Sequence, residues 1–94
     1  MKVTFAPRAL RDLDAAFAFI AREDPRAASR AIARIEEVSS RLAEHPGMGR
    51  KTTLPPLQVF PVPDYPYLIF YAVRGDREVR IVRIRHAARQ RRRP

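Results

Sequence analysis

The sequence predicts a single α+β domain, in which an antiparallel helical hairpin packs on one face of a small, mainly antiparallel sheet, in the order β-α-α-β-β-β. Residues 7–22 and 25–45 carry apolar side chains three or four positions apart, as helices with one core-facing side do. Residues 66–73 are almost wholly apolar and rich in aromatic and β-favouring side chains, which is typical of a strand buried on both faces. Two helices joined by so short a turn must lie side by side, and their apolar side needs a sheet to cover.

The N-terminal half supplies the first strand and both helices. Residues Lys2–Phe5 alternate polar and apolar side chains and predict a short strand. Pro7 suits the first turn of a helix, and Asp24 with Pro25 supplies an N-cap and a first residue for the next helix. His45 favours the end of that helix as a C-terminal cap. We expect the core-facing stripe of the first helix to consist of Leu10, Leu13, Phe17 and Ile20.

Three strands are predicted after the helices. Residues 47–53 predict a loop, and the prolines within residues 54–62 predict an edge or bulged strand, because proline cannot donate to a sheet. Residues 66–73 and 78–86 then form a hairpin around a glycine-containing turn. The tyrosines of its first arm are predicted to be core residues with the hydroxyl at the rim. In its second arm, regular alternation sends Val82, Ile84 and His86 towards the helices and Ile81, Arg83 and Arg85 to the open side.

Positive charge is concentrated in the C-terminal half. The chain has 19 Lys and Arg against 10 Asp and Glu, for a net charge of +9. Residues 1–49 contain 8 basic and 7 acidic side chains, whereas residues 50–94 contain 11 and 3, so the two halves carry +1 and +8. This asymmetry is typical of a surface that faces an anionic macromolecule. We expect residues 1–88 to form the domain and residues 89–94 to be a mobile cationic tail.

Composition excludes several classes of protein. The chain has no cysteine and therefore neither a disulfide framework nor a thiolate nucleophile. Its two histidines, at positions 45 and 86, do not form a metal-binding motif. No stretch approaches the roughly 20 apolar residues of a membrane helix, and the N-terminus lacks the apolar region of a signal peptide. We therefore expect a cytoplasmic protein without a cofactor and without membrane contacts.

Five short motifs follow one another along the chain. They are Ala9 with Asp12-Leu13, Asp24-Pro25 with Ala27-Ala28, Pro46 with Gly49-Arg50, Pro66 to Tyr71, and Ile81 to His86 with Arg89. In content and order they resemble the "A..DL", "(N/D)P.AA", "P..GR", "PYLI.Y" and "I..I.H..R" motifs of the RelE/ParE family of bacterial toxins. Each motif alone is a weak signal, but five in the right order cover essentially the whole chain.

The resemblance implies the predicted fold and a growth-inhibiting toxin of a type II toxin–antitoxin module. ParE-like members poison DNA gyrase without a hydrolytic site, whereas RelE-like members cut mRNA on the ribosome with cationic residues on the open sheet face. The resemblance also implies a cognate antitoxin, and we expect its acidic, amphipathic segment to form a hetero-oligomer with this chain. The expected antitoxin contacts are Leu13, Phe17 and Ile20 of the helical hairpin, together with Arg83 and Arg85.

The chemistry of RNA cleavage separates the two branches. In-line attack by a 2′-hydroxyl needs a general base, a general acid and cations around the phosphate. If the chain cuts RNA, the cations are Arg50, Lys51, Arg83 and Arg85, and the base is His86. However, His86 points away from those arginines in the predicted strand, and no tyrosine follows it to act as the acid. We therefore favour a structural role for His86.

The same arginines suit a docking surface, because a guanidinium group pairs carboxylates through two parallel hydrogen bonds. The favoured hypothesis is a ParE-like inhibitor that binds gyrase, with target-binding residues Arg83, Arg85, Arg89 and Arg50. A ribosome-dependent endoribonuclease is the alternative. A plain nucleic-acid-binding module, driven by the basic half of the chain, is the third hypothesis.

Overall fold

The computed structural model describes residues 1–88 and shows an α+β domain built on a five-stranded sheet. The strand order is β1-β5-β4-β3-β2, in which only the pairing of β1 with β5 is parallel. The hairpin of β4 and β5 therefore lies at the middle of the sheet. The elements are β1 (Lys2–Phe5), α1 (Pro7–Ala21), α2 (Pro25–Glu44), a 3₁₀ turn (Pro46–Met48), β2 (Arg50–Lys51), β3 (Gln58–Pro61), β4 (Tyr67–Arg74) and β5 (Glu78–His86).

This architecture confirms the predicted fold class and adds one strand to it. The predicted loop contains the 3₁₀ turn and the two-residue strand β2, which pairs with β3. Strand β3 begins at Gln58 because the two prolines before it occupy a turn, in which the Leu57 N–H donates to the Leu54 carbonyl oxygen. The predicted tail, residues 89–94, lies outside the described residues.

The first helix buries half of the predicted stripe: Leu13 is in the core and Ile20 packs against it, but Leu10 and Phe17 do not face the core. Its buried residues are Ala9, Leu13 and Ala16, whereas Leu10 and Phe17 are 50% and 39% exposed. The spacing of four and three places two alanines on the buried side of the helix, so the backbone can approach its neighbours closely. The larger apolar side chains consequently remain outside.

The second helix follows the prediction. The Asp24 side chain accepts hydrogen bonds from the backbone N–H groups of Arg26 (3.0 Å) and Ala27 (3.2 Å), and Pro25 is the first helical residue. His45 is the C-cap residue, and its N–H donates to the Arg41 carbonyl oxygen. In residues 1–88, neither helix combines the length and the apolar composition that crossing a bilayer demands.

The core lies between the helices and the sheet. Ile69 and Tyr71 of β4 and Val79 and Ile81 of β5 are fully buried there, and Tyr67 is 6% exposed. The predicted core position of the β4 tyrosines is therefore confirmed. Helix α2 contributes Ile35, Val38 and Leu42 to the same cluster.

A β-bulge in β5 corrects the predicted alternation. Phe70 pairs with Arg83, but the next residue of β4, Tyr71, pairs with Ile81, so Val82 has no partner in the ladder. The extra residue shifts the phase of the strand. Ile81 is consequently fully buried on the helix side, and the prediction that it faces away with Arg83 and Arg85 is wrong. Ile84 is buried as predicted, because the bulge corrects the phase of the strand before that residue is reached.

Candidate functional site

Arginines and apolar side chains form cross-strand rows on the sheet face opposite the helices. We call this surface the open face; its rows are Arg50–Val59–Phe70–Arg83 and Pro61–Leu68–Arg85. Phe70 and Leu68 are half-buried, and Arg50 is exposed. Neighbouring strands lie roughly 4.8 Å apart, so Arg50 and Arg83 are separated by roughly 14 Å along their row. The predicted target-binding cations therefore extend across the sheet.

Arg83 binds a carboxylate of the first helix. Its Nε donates to Asp12 Oδ2 at 2.8 Å and its Nη2 donates to Asp12 Oδ1 at 3.3 Å. Asp12 Oδ2 also accepts the backbone N–H of Ile84 at 2.9 Å. The side chains of Arg83 and Asp12 are 27% and 15% exposed. Arg83 thus ties β5 to α1, and the expectation of a free cation at this position needs correction.

Asp12 was not among the predicted site residues. Strand β1 pairs with β5 only as far as Ile81, so the N–H of Ile84 lies beyond the reach of that pairing. The Asp12 carboxylate accepts the Ile84 N–H at the position where β1 no longer pairs with β5. The sequence carries no local signal for this role, because the carboxylate and its partners are 71 and 72 positions apart.

A second ion pair, between Arg80 and Glu78, flanks the open face near β1. Arg80 Nη1 lies 3.8 Å from Glu78 Oε2, and the Thr4 hydroxyl donates a hydrogen bond to the same carboxylate oxygen. The Thr4 hydrogen bond is the main cause of a lowered pKa of Glu78, and the positive charges of Arg74, Arg80 and Lys2 lower this pKa further. Glu78 is therefore ionised and reduces the positive charge at this end of the open face.

The two-residue strand β2 displays Arg50 and Lys51 at the far edge of the sheet. Both side chains are exposed. The Tyr71 hydroxyl lies under the turn before them, accepting the Gly49 N–H at 2.8 Å and donating to the Pro46 carbonyl oxygen at 2.7 Å. The predicted core position of Tyr71 is right, but its hydroxyl does not reach the rim, because the residues that lead into β2 cover it.

His86 lies at the end of β5 in a shallow groove between that strand and α1. Its ring meets Tyr67 edge to face, with centroids 5.4 Å apart, and its Nδ1 accepts the backbone N–H of Ala88 at 3.2 Å. Arg83 and Arg85 line the same groove, although alternation places their strand positions on the opposite side from His86.

The predicted antitoxin contacts on α1 have different exposures. Leu13 is 7% exposed and belongs to the core, so it is withdrawn from the predicted surface. Phe17 is exposed and Ile20 is half-buried, so both remain accessible. The structure adds Leu10 and Phe19, which are 50% and 59% exposed. Leu10 and Phe17 lie one above the other on one flank of α1, and Phe19 lies on the opposite flank, beside β5.

Arg85 is half-buried on the open face, and Arg89 lies outside the described residues. Across residues 1–88, no three His, Asp or Glu side chains come together as ligands for a metal ion. The described surface therefore offers cations and apolar side chains for contact with another macromolecule.

Comparison with known proteins agrees with this geometry. A family model described as the ParE toxin of the type II toxin–antitoxin system parDE matches residues 3–91. The chain belongs to this toxin family. Two curated relatives are similar along almost their whole length. Putative toxin Y4kP of Sinorhizobium fredii is 37% identical, and the match covers 95% of this chain and 91% of that protein. Toxin RelE2 of Caulobacter vibrioides is 43% identical, and the match covers 94% of this chain and 97% of that protein.

A solved structure of the chromosomal ParDE TA system from P. aeruginosa has the same fold as this toxin. Its TM-score is 0.79, at 26% identity, over 92% of this chain and 95% of the other. Family membership gives the toxin an antitoxin as its partner. It also confirms the resemblance drawn from the motifs. Their physical basis is now visible, since Asp12 of "A..DL" binds Arg83 and Gly49 of "P..GR" binds Tyr71.

Proposed function

We propose that this toxin arrests growth by binding DNA gyrase through the open face, without a catalytic step. The ion pair between Arg83 and Asp12 is the observation that carries the proposal, because it engages one of the four cations that RNA cleavage would require. The remaining exposed cation of that row, Arg50, lies on the opposite edge of the sheet. Cations spread in this way suit an extended acidic surface of a protein better than a single phosphate group.

The apolar members of the open face support a protein target. Phe70 and Leu68 lie between the arginines, and each keeps part of its surface exposed to solvent. A surface that combines arginine with half-buried apolar groups has the composition of a protein–protein interface. The engagement of His86 Nδ1 by the Ala88 backbone is a structural contact, which fits this proposal.

The test is DNA supercoiling by purified gyrase with increasing amounts of toxin freed from its antitoxin. We expect inhibition that saturates with toxin and is weakened at least 10-fold by replacing Arg50 and Arg85 with alanine, given the value of hydrogen-bonded charge pairs at interfaces. Arg30→Ala, which removes an exposed cation of α2 on the helix side of the sheet, is the control. Normal supercoiling at saturating wild-type toxin would contradict the proposal.

A ribosome-dependent mRNA endoribonuclease is the second candidate. The relative named Toxin RelE2 and the shared groove of His86 and Arg85 favour it. Under this alternative, purified toxin cuts mRNA on translating ribosomes, and both Arg85→Ala and His86→Ala abolish the cuts while the protein stays folded. Running this assay beside the gyrase assay decides between the two targets.

We further propose that the antitoxin covers the exposed side of α1 with an amphipathic segment and reaches the open face with acidic residues. Phe19, on the flank of α1 beside the groove, and Leu10 with Phe17, on the opposite flank, provide the apolar contacts, and Arg85 provides a charged one. The complex is a cytoplasmic hetero-oligomer. Co-purification of a small acidic protein encoded beside the toxin gene tests this assembly, and failure of that protein to restore growth would contradict it.

A further inference from the structure

We propose that Tyr71 is a positioning residue, whose hydroxyl holds β2 against the sheet so that Arg50 keeps its place on the open face and Lys51 keeps its place at the edge of the sheet. This inference rests on the proposed use of the open face in target binding. It assigns a role in function to a tyrosine that has no exposed surface.

Strand β2 needs such support because it is very short. Only Arg50 and Lys51 belong to it, and they pair with Val59 and Gln58 of a four-residue strand. Strands of globular proteins usually have 3–10 residues, so two ladder positions hold a segment weakly. The position of β2 must therefore depend on contacts outside the ladder.

The Tyr71 hydroxyl supplies those contacts. It accepts from the Gly49 N–H (2.8 Å), donates to the Pro46 carbonyl oxygen (2.7 Å) and lies 3.2 Å from Gln58 Oε1. Two of these partners bracket the 3₁₀ turn, and the third belongs to β3. One oxygen atom thus connects the turn, the neighbouring strand and the centre of the sheet.

Gly49 is the residue that allows the hydroxyl to come so close. A Cβ atom built on Gly49 would lie 2.8 Å from Tyr71 Cε1, which is too near for a real contact. Any other residue at this position would push the backbone away from the ring. The next residue is Arg50, so a displacement of Gly49 is transmitted directly to the first cation of β2.

Because the Tyr71 hydroxyl is buried, a water molecule cannot readily take its place in these hydrogen bonds. Desolvation raises the pKa of Tyr71, and the Gly49 N–H opposes that rise to a smaller extent. The hydroxyl therefore stays protonated at neutral pH and keeps its donor for the Pro46 carbonyl oxygen. In Tyr71→Phe the ring still fills the core, but the Gly49 N–H and the Pro46 carbonyl oxygen lose their partner.

Amide hydrogen exchange tests the positioning without reference to any target. In Tyr71→Phe we expect exchange at residues 46–52 to rise about 10-fold or more, the change that corresponds to the loss of a hydrogen bond to a buried group. The amides of β4 and β5 should keep their protection. Tyr65→Phe, a change of the same kind at a half-buried tyrosine, is the control. Unchanged exchange at residues 46–52 would overturn the inference.

A double-mutant cycle tests whether the hold on β2 matters for toxicity. Growth arrest after induced expression is compared for wild type, Tyr71→Phe, Arg50→Ala/Lys51→Ala and the combination, at equal protein levels. We expect Tyr71→Phe to reduce toxicity in the wild-type background and to have no further effect once both cations are absent. Its effect on the melting temperature should be the same in both backgrounds, because a purely structural role does not depend on the cations.

The outcomes separate this inference from the proposed function. Full toxicity of Arg50→Ala/Lys51→Ala would contradict target binding by β2, while the exchange measurement would still report whether Tyr71 positions the strand. Loss of toxicity in Arg50→Ala/Lys51→Ala but not in Tyr71→Phe would contradict the positioning role. An equal loss from Tyr71→Phe in both backgrounds would assign the tyrosine to stability alone.

Discussion

At the scale of single residues, Asp12 is the side chain with the most consequences for this toxin. It accepts hydrogen bonds from the Arg83 guanidinium and from the Ile84 backbone, and it is only 15% exposed. Asp12→Ala leaves a half-buried cation and a backbone N–H without acceptors, so we expect it to lower the free energy of unfolding by roughly 2–4 kcal/mol.

Urea denaturation at pH 7 measures this loss, and Asp14→Ala is the matched control because Asp14 is exposed on the same helix. Asp12→Asn should lose less than Asp12→Ala, since an amide oxygen can still accept the Ile84 N–H. Equal stability of Asp12→Ala and Asp14→Ala would show that the ion pair contributes nothing to folding.

The lowered pKa of Glu78 predicts how the stability of the toxin depends on pH. The Thr4 hydroxyl, followed by the neighbouring cations, lowers its pKa below the ordinary value of 4.5. A carboxylate with a lowered pKa stabilises the fold above its unfolded pKa, and this stabilisation disappears as the pH falls through the folded pKa. We therefore expect the stability difference between wild type and Thr4→Val to be largest near neutral pH and to shrink below pH 4.5. A difference that stays constant from pH 7 to the acid limit of the folded state would contradict this assignment.

At the scale of elements, β5 shows which part of the fold could be predicted from sequence and which could not. Its existence, its pairing with β4 and the burial of Ile84 follow from the pattern of apolar residues. The orientation of Ile81 does not follow from that pattern, because regular alternation assumes a strand without a bulge. A signal for the bulge was available in the adjacent apolar residues Ile81 and Val82, since omitting Val82 leaves strict alternation from Val79 to His86.

The first helix was mispredicted for a different reason. Hydrophobic periodicity was right for Leu13 and Ile20, but it placed Leu10 and Phe17 in the stripe where the structure buries Ala9 and Ala16. Periodicity gives the direction of a helix face only when one face is polar, and α1 is apolar on more than one side. The contacts made by Asp12 and Tyr71 connect residues 71 and 22 positions apart, and no local pattern reports such distances.

The N-cap of α2 gives a prediction for an element that the sequence identified correctly. Asp24 accepts two backbone N–H groups at the start of the helix. We expect Asp24→Ala to lower the free energy of unfolding by about 1 kcal/mol and Asp24→Asn to change it little, because asparagine caps helices as well as aspartate does. Thermal denaturation of the three proteins measures the difference. Equal losses in both variants would mean that the charge, and not the cap, is what stabilises α2.

At the scale of the whole molecule, the toxin has two surfaces of different chemistry. The open face combines arginines with half-buried apolar residues, and α1 exposes Leu10 and Phe17 on one flank and Phe19 on the opposite flank. The two surfaces meet at the groove that Asp12, Phe19, Arg85 and His86 line. An antitoxin that binds α1 can therefore reach the open face from this groove, which would link neutralisation to the loss of target binding.

This arrangement predicts that neutralisation and toxicity can be separated by mutation. Phe17→Ser changes an exposed side chain of α1, so we expect it to leave toxicity intact while weakening antitoxin binding by about 10-fold or more, as the loss of an aromatic interface residue does. Arg85→Ala should instead reduce toxicity when the toxin is expressed alone. Growth curves with and without the antitoxin, together with the affinity of the purified pair, measure both effects, and Arg30→Ala on the exposed side of α2 is the control. If Phe17→Ser reduced toxicity as strongly as Arg85→Ala and left antitoxin affinity unchanged, the helix would be part of the target-binding surface, and the division between the two faces would be wrong.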